Sequence, residues 1–269
     1  MAQPISFLSD FGTQDEFVGV VHGVIYRLSP ASRVIDITHG ITPGDIRGGA
    51  LALTRAIQFL PPGVVLAIVD PGVGTSRKAL ALETAAGFFF VGPDNGLLSP
   101  AVAMVGGALA IHAIENREVM IEGPGHTFAG RDVFAPAAAL LAAGEATLPD
   151  LGPELDPGQV LPLMLPLPKV EESVIHGEAL WVDWYGNVQT NVGPEDLAAI
   201  GVREGESVEV SVGAIDHVGR YVTTFGEVAM GELAVHVDSA GLIALAVRGG
   251  RADEEISLAP GRPLSLRGS

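Results

Sequence analysis

The chain has 269 residues, enough for one large domain or two ordinary ones, with 48% hydrophobic side chains to fill a core and no cysteine for disulfides or thiolate metal sites. Its 32 acidic residues against 15 basic ones give a formal charge of -17, a surface that repels phosphate backbones and anionic headgroups and so excludes nucleic acid and membrane partners. A cationic or zwitterionic small molecule stays compatible with that balance, although acidity by itself chiefly serves solubility.

In chain order, residues 5–8 are a short apolar run ending at Ser9-Asp10-Phe11-Gly12, the pattern of a buried strand that opens into a polar loop. From Asp15 onward, Phe17, Val18, Val21, Val24, Ile25 and Leu28 recur at three-to-four spacing. This predicts a helix with Asp15 and Glu16 in its first turn, where the dipole favours acids, stopped at Ser29-Pro30. The alternation repeats with a strand at 34–37, a helix at 45–60 and a continuous apolar strand at 64–69 between Pro61-Pro62-Gly63 and Asp70-Pro71-Gly72. Further strands are expected at 80–83, 88–91 and 108–112, and a helix at 133–143. Strands alternating with helices imply a mainly parallel sheet covered by helices, an α/β domain over residues 1–148.

Residues 149–172 carry prolines at 149, 153, 157, 162, 166 and 168 and little periodicity. Proline cannot donate to a ladder, so this segment reads as a linker. Beyond it the pattern becomes period-two, with runs at 179–183, 207–212, 233–237 and 242–247 separated by turns rich in Gly and Asp. Residues 173–269 are therefore expected to form a smaller β-barrel or sandwich domain. The longest apolar stretches fall short of the ~20 residues that a membrane span needs. The N-terminus shows no basic flank followed by a long apolar region, and Asp10 arrives too early for a signal peptide. The expected location is cytoplasmic.

Ligands of open parallel sheets bind beyond the carboxyl ends of the strands, which directs attention to the residues after each run. The first strand leads to Asp10 and Asp15. The 64–69 strand leads to Asp70 and, seven residues on, Arg77, and the 88–91 strand leads to Pro93-Asp94-Asn95-Gly96. Each acid taken singly is also a plausible turn or cap residue. Together, Asp70 and Arg77 could form a charge pair that keeps a carboxylate ionised and aimed at a water, while Asp10 could grip vicinal hydroxyls. The glycines of residues 70–74 lack the Lys-Ser/Thr ending of a phosphate loop, and no GxGxxG follows the first strand. The seven His residues show no recognised ligand spacing, so no metal is expected. In the second domain, Asp183-Trp184-Tyr185-Gly186-Asn187-Val188 is either a tight hairpin or a cluster in which Tyr185 stacks on a ring and Asn187 reads an adenine-like edge.

Taken as an ordered set, these motifs, with Ile41-Thr42-Pro43-Gly44-Asp45, Val73-Gly74-Thr75, Leu97-Leu98 and Thr127-Phe128-Ala129-Gly130-Arg131-Asp132, span nearly the whole chain. In that order they resemble the S-adenosyl-L-methionine hydroxide adenosyltransferases, relatives of the fluorinases and chlorinases. The resemblance implies hydrolysis of S-adenosyl-L-methionine to adenosine and L-methionine by water or hydroxide attacking the ribose C5′. It implies no added cofactor, and a homotrimer in which the N-terminal domain of one subunit and the C-terminal domain of its neighbour enclose the substrate.

By position, Asp70 and Arg77 match the family's water-activating pair, where the halogenases have a Tyr in place of the acid. Asp10 matches the acid on the ribose hydroxyls, and Asp15 and Asp183 match the acids that receive the methionine ammonium. Asn187 and Ser239 fall at the adenine end, with Phe128, Tyr185 and Phe225 walling the site. One position departs from the pattern: the family's His between the Phe and Gly of its Thr-Phe-His-Gly-Arg-Asp motif is Ala129 here, and His126 lies three residues earlier. Two other readings therefore stand beside hydrolysis, a non-catalytic adenosine or S-adenosylmethionine binding protein and a halide-dependent 5′-halo-adenosine synthase.

Overall fold

The computed structural model describes residues 2–123, 125 and 127–269; His126 lies outside the described residues. The chain forms two compact units, Met1–Leu163 and Met164–Ser269.

In the first unit, β1 (Ile5–Ser9), α1 (Phe17–Leu28), β2 (Val34–Thr38), α2 (Ile46–Ile57) and β3 (Val64–Ile68) follow the expected alternation. Then come β4 (Ala79–Thr84), β5 (Phe89–Pro93), α3 (Ser99–Met104), β6 (Ala108–Ala113), α4 (Ala135–Ala143) and α5 (Leu148–Leu151). The sheet order is β2-β1-β3-β5-β4-β6. Pairings are parallel from β2 to β5, and only β4 runs antiparallel to its neighbours β5 and β6. Alternate side chains of the central strands separate two cores, as the period of a strand requires. Ile5, Phe7, Val64, Leu66 and Ile68 pack with Val21 and Ile25 of α1 and Ala137 and Leu141 of α4. On the other face, Gly49 of α2 comes so close to Val69 and Leu97 that an added Cβ would lie 2.9 Å from each.

Local chemistry sets the helix ends. Asp45 caps α2 by accepting from Gly48 N at 2.9 Å, and the chain leaves that helix through a tight turn before Pro61-Pro62. Contrary to expectation, Asp15 and Glu16 are not in the first turn of α1. The first helical bond runs from Val20 N to the Glu16 carbonyl, so Phe17 is the first helical residue and Asp15 stays in an exposed loop. The helix expected at 133–143 is preceded by a π-helical turn over Gly130–Phe134 before α4 begins. The proline-rich stretch is ordered along the first unit as far as Leu163: Leu155 N bonds to Ile111 O, and Leu161 N to the buried Asp94 carboxylate.

The second unit contains β7 (Lys169–Glu171), β8 (Val174–Val182), β9 (Val188–Thr190), α6 (Pro194–Ala199), β10 (Ser207–Val212) and β11 (Ile215–Tyr221). It continues with β12 (Leu233–Val237), β13 (Ile243–Val247), α7 (Ala252–Glu255) and β14 (Pro263–Gly268). Neighbouring strands follow the order β14-β10-β11-β12-β13-β9-β8, and β14 pairs back onto β8, so seven strands close into a barrel with β7 attached outside. Closure decides between the two expected architectures in favour of the barrel. Its interior is aliphatic, with Ile175, Val188, Val208, Val210, Val235, Leu245 and Leu266 all fully buried. Among the described residues, no helix is long and apolar enough to cross a membrane.

Candidate active site

The carboxyl ends of β1 and β3 bring Asp10 and Asp70 into one electrostatic neighbourhood, tied by a bond from Asp10 N to Ile68 O at 3.2 Å. Arg77 reaches back from the loop after β3 and clasps Asp70 with two parallel bonds, Nε to Oδ1 at 3.0 Å and Nη2 to Oδ2 at 2.5 Å. Its third nitrogen bonds Lys78 O at 2.9 Å, and the guanidinium lies 5.2 Å over the Phe134 ring. Both side chains are shielded, at 6% exposure for Asp70 and 12% for Arg77. A fork-to-fork pair of this kind fixes the orientation of the carboxylate as well as its charge. The loop holds itself in shape: Thr75 Oγ1 donates to Gly72 O, and Asn95, from the end of β5, donates to Val69 O at 2.8 Å.

Asp10 Oδ2 accepts from Gly44 N at 2.8 Å. Burial pushes the Asp10 carboxyl above the ordinary carboxylate range; backbone hydrogen bonds oppose this, and the nearby Asp70 charge adds to it. Beside Asp10, Phe11, Phe17 and Phe128 form a triangle of edge-to-face and tilted rings with centroids 5.0–5.9 Å apart. The triangle requires a residue without Cβ at position 130, since a Cβ there would lie 2.9 Å from the Phe11 ring and 3.0 Å from Phe128. Ala129 begins the π-helical turn with only a methyl group to offer. Asp15 stands exposed in the loop before α1.

The second unit carries the remaining predicted residues. Asp183 organises the β8–β9 turn: Oδ1 accepts from Tyr185 N and Asn187 N at 2.8 Å each, and Oδ2 from Asn187 Nδ2 at 2.8 Å. Gly186 supplies the positive φ of 86° that the turn needs. The hairpin reading of this motif is therefore realised, and it projects Trp184 and Tyr185 into solvent at 90% and 75% exposure. Phe225, 50% exposed, packs edge-on against His236 at 5.9 Å. Ser239 is exposed in the turn after β12, which Asp238 holds by accepting from Ala240 N and Leu242 N.

Sequence reasoning missed three groups. Phe134 under Arg77 and Phe17 beside Phe128 look like ordinary core periodicity in the sequence. His236 lies on the face of β12 opposite the barrel core and is covered by Phe225, with its pKa lowered by burial despite the nearby charges of Asp238 and Asp183; its position in an alternating run was the available signal. His22, Asp36 and His39 come from α1, β2 and the following loop and converge only in three dimensions.

Two family models match the chain in order: the SAM hydroxide adenosyltransferase N-terminal domain over residues 5–152 and the corresponding C-terminal domain over residues 177–265. A Salinispora tropica protein named (R)-S-adenosyl-L-methionine hydrolase is 47% identical over 262 residues, covering 97% of each chain. The crystal structure of an uncharacterized conserved protein from Thermotoga maritima superimposes with a TM-score of 0.90 at 39% identity, covering 98% of this chain and 99% of that one. A fluorinase from an Actinoplanes strain is more distant, 28% identical over 269 residues and 90% of each chain. With both domain models matched in sequence order and the fold shared along its length, the chain belongs to the SAM hydroxide adenosyltransferase family.

Proposed function

We infer that this protein is an enzyme that hydrolyses S-adenosyl-L-methionine to adenosine and L-methionine, with Asp70 and Arg77 orienting the attacking water. The observation that carries the residue assignment is the shielded, bidentate Asp70–Arg77 pair at the end of β3, beside the half-buried Asp10. Both Asp70 oxygens accept from Arg77, and each retains a lone pair for a water O–H. The water oxygen forms a bond to C5′ as the C5′–S bond breaks. The sulfonium leaves as a neutral thioether carrying its electron pair, and the water proton passes to solvent. A neutral leaving group needs no acid, so catalysis reduces to holding the nucleophile in line and partly stripped of solvent.

Ionised Asp10 accepts from the ribose hydroxyls through its remaining lone pairs. Asp15 and Asp183 receive the methionine ammonium, in keeping with the acidic surface. Phe128, Tyr185 and Phe225 flank the ligand, and Asn187 and Ser239 hydrogen-bond the adenine. No added cofactor enters this scheme. The functional form is a homotrimer whose sites are each completed by a neighbouring subunit, a reading supported by the exposure of Trp184, Tyr185 and Phe225. The cytoplasmic location expected from the sequence belongs to the same reading. An anionic carboxylate at position 70 disfavours a halide as nucleophile.

One observation favours a second reading, binding without turnover: Ala129 supplies no third polar group to the water. Chromatography of the purified protein with S-adenosyl-L-methionine and EDTA, with and without chloride, separates these outcomes. Equimolar adenosine and methionine in both arms is the expected result. Saturable binding of intact ligand with no product would establish the binding role, and 5′-chloroadenosine appearing only with chloride would establish halogenation.

A further inference from the structure

Behind the Asp10 loop, three side chains from separate elements aim donor atoms at one point. His22 Nε2 of α1 lies 2.9 Å from Asp36 Oδ1 of β2, His39 Nε2 of the next loop lies 3.0 Å from the same oxygen, and all three atoms fall within 4.8 Å of one another. His39 is 92% buried, its ring 4.6 Å from Phe7, which also approaches the His22 ring at 6.0 Å. The contact of His39 Nε2 with Asp36 is off the line of an N–H···O bond, so this buried nitrogen has no hydrogen-bond partner among the described residues.

The other ring nitrogen explains why that matters. His39 Nδ1 lies 2.7 Å from Ser9 Oγ, which is fully buried. If Nδ1–H donates to Ser9, Nε2 presents a lone pair toward a carboxylate oxygen, and the two repel unless a cation lies between them. A metal-binding histidine has its second nitrogen fixed by a hydrogen bond, most often to a carboxylate, a carbonyl or water, and the buried Ser9 hydroxyl supplies that hold here. We propose that His22 Nε2, Asp36 Oδ1 and His39 Nε2 form a binding site for a divalent cation of the zinc class, with solvent completing the coordination.

Two imidazoles and one carboxylate suit Zn²⁺ or Co²⁺ rather than Mg²⁺ or Ca²⁺, which prefer all-oxygen shells. Tetrahedral bonds of about 2.0–2.2 Å place donor atoms about 3.4 Å apart. The present spacings therefore open by a few tenths of an ångström, which the part-exposed His22 and Asp36 side chains, at 36% and 44%, can supply. The cation joins α1, β2 and the segment that brackets Asp10, since His39 O accepts from Gly12 N at 2.8 Å while its ring holds Ser9. It is a structural clip behind the substrate acid and takes no part in bond making.

The test is equilibrium dialysis of the metal-stripped full chain against Zn²⁺ and Co²⁺, with Mg²⁺ as competitor and Co²⁺ absorption reporting coordination. The expected result is one Co²⁺ or Zn²⁺ per chain, undisturbed by Mg²⁺ and accompanied by a Zn²⁺-dependent rise in unfolding temperature. His22→Ala and Asp36→Asn, both at part-exposed positions, should each weaken binding by at least about 100-fold, and Ser9→Ala by about 10–100-fold. No stoichiometric binding, or binding that survives His22→Ala and Asp36→Asn in folded protein unchanged, would overturn the proposal. So would an NMR titration showing both nitrogens of His39 protonated at neutral pH with Zn²⁺ present.

Discussion

The Asp70–Arg77 pair of the first unit and the Asp183–Asn187 turn of the second each centre on an aspartate that accepts several hydrogen bonds, yet they are built for different work. Asp70 is shielded and held by a cation whose own third bond and aromatic floor come from the protein, so its direction is set before any ligand arrives. Asp183 spends its bonds on its own turn, in a loop whose neighbours Trp184 and Tyr185 are almost entirely exposed. Under the proposed roles, a ligand ammonium at Asp183 shares or displaces those bonds, whereas water at Asp70 meets an acceptor already in place. In the proposed scheme, preorganisation belongs to the chemical step and adaptability to recognition, in line with the general advantage of fixed dipoles where charge develops.

That contrast can be broken most directly at Asp70. Asp70→Asn keeps the shape and loses the charge, and product chromatography should show turnover reduced about 10²–10⁴-fold, with circular dichroism unchanged. Retention of full turnover would remove Asp70 from the mechanism. Arg77→Met leaves the shielded carboxylate without its cation and should cost about 3–5 kcal/mol of stability in urea denaturation; a loss no larger than that of a surface substitution would show the pair to be solvated. Asp183→Ala should raise KM about tenfold or more with a smaller effect on kcat. Each lost turn bond to a charged group is worth about 1.5–3 kcal/mol at most, and a change in stability without a change in KM would make Asp183 a turn residue only.

The pH dependence separates the two units further. The Asp10 carboxyl is raised above its ordinary range, so the ionised form that the proposed scheme assigns to the ribose hydroxyls is lost as pH falls through that raised value. The acid limb of kcat/KM should therefore lie higher than for an ordinary carboxylate, and Asp10→Asn should abolish that limb along with most of the affinity. The smallest effect is expected at His236, whose folded-state pKa is depressed by burial. In the window between that depressed value and the ordinary histidine value near 6.5, the unfolded chain binds more protons, so stability rises with pH there. His236→Gln should flatten this part of the curve, as measured by thermal unfolding across pH 5–7.

Elements whose neighbours enforce one period were legible in the sequence. The strands at 5–8, 64–69 and 207–212 and the helix that became α2 follow from the apolar pattern and its alternation, while the Asp45 cap of that helix emerged only in the fold. The start of α1 was not legible, because acids before a helix carry the same signal whether they stand in the first turn or just ahead of it. The π-helical turn was hidden for a related reason: Gly130 is required by two phenylalanine rings distant in sequence or folded back upon it. Within the site, Asp70 and Arg77 could be named as a pair from their place after a strand, while the ring beneath Arg77 could not. The His22–Asp36–His39 convergence was invisible to spacing rules because its ligands come from three different elements.

Closing the barrel through β14 has a consequence for how the second unit is made. The closing ladder sets Pro263 opposite Glu178 and Arg267 opposite Val174, so the last strand of the chain completes a ring begun near the unit's start. Such a non-local pairing carries the loop-closure cost of nearly the entire unit, which slows folding relative to the short-range alternation of β1, α1 and β2. During synthesis, β8 and β10 both present bare edges until β14 emerges, and in that interval the nascent chain is most exposed to mispairing.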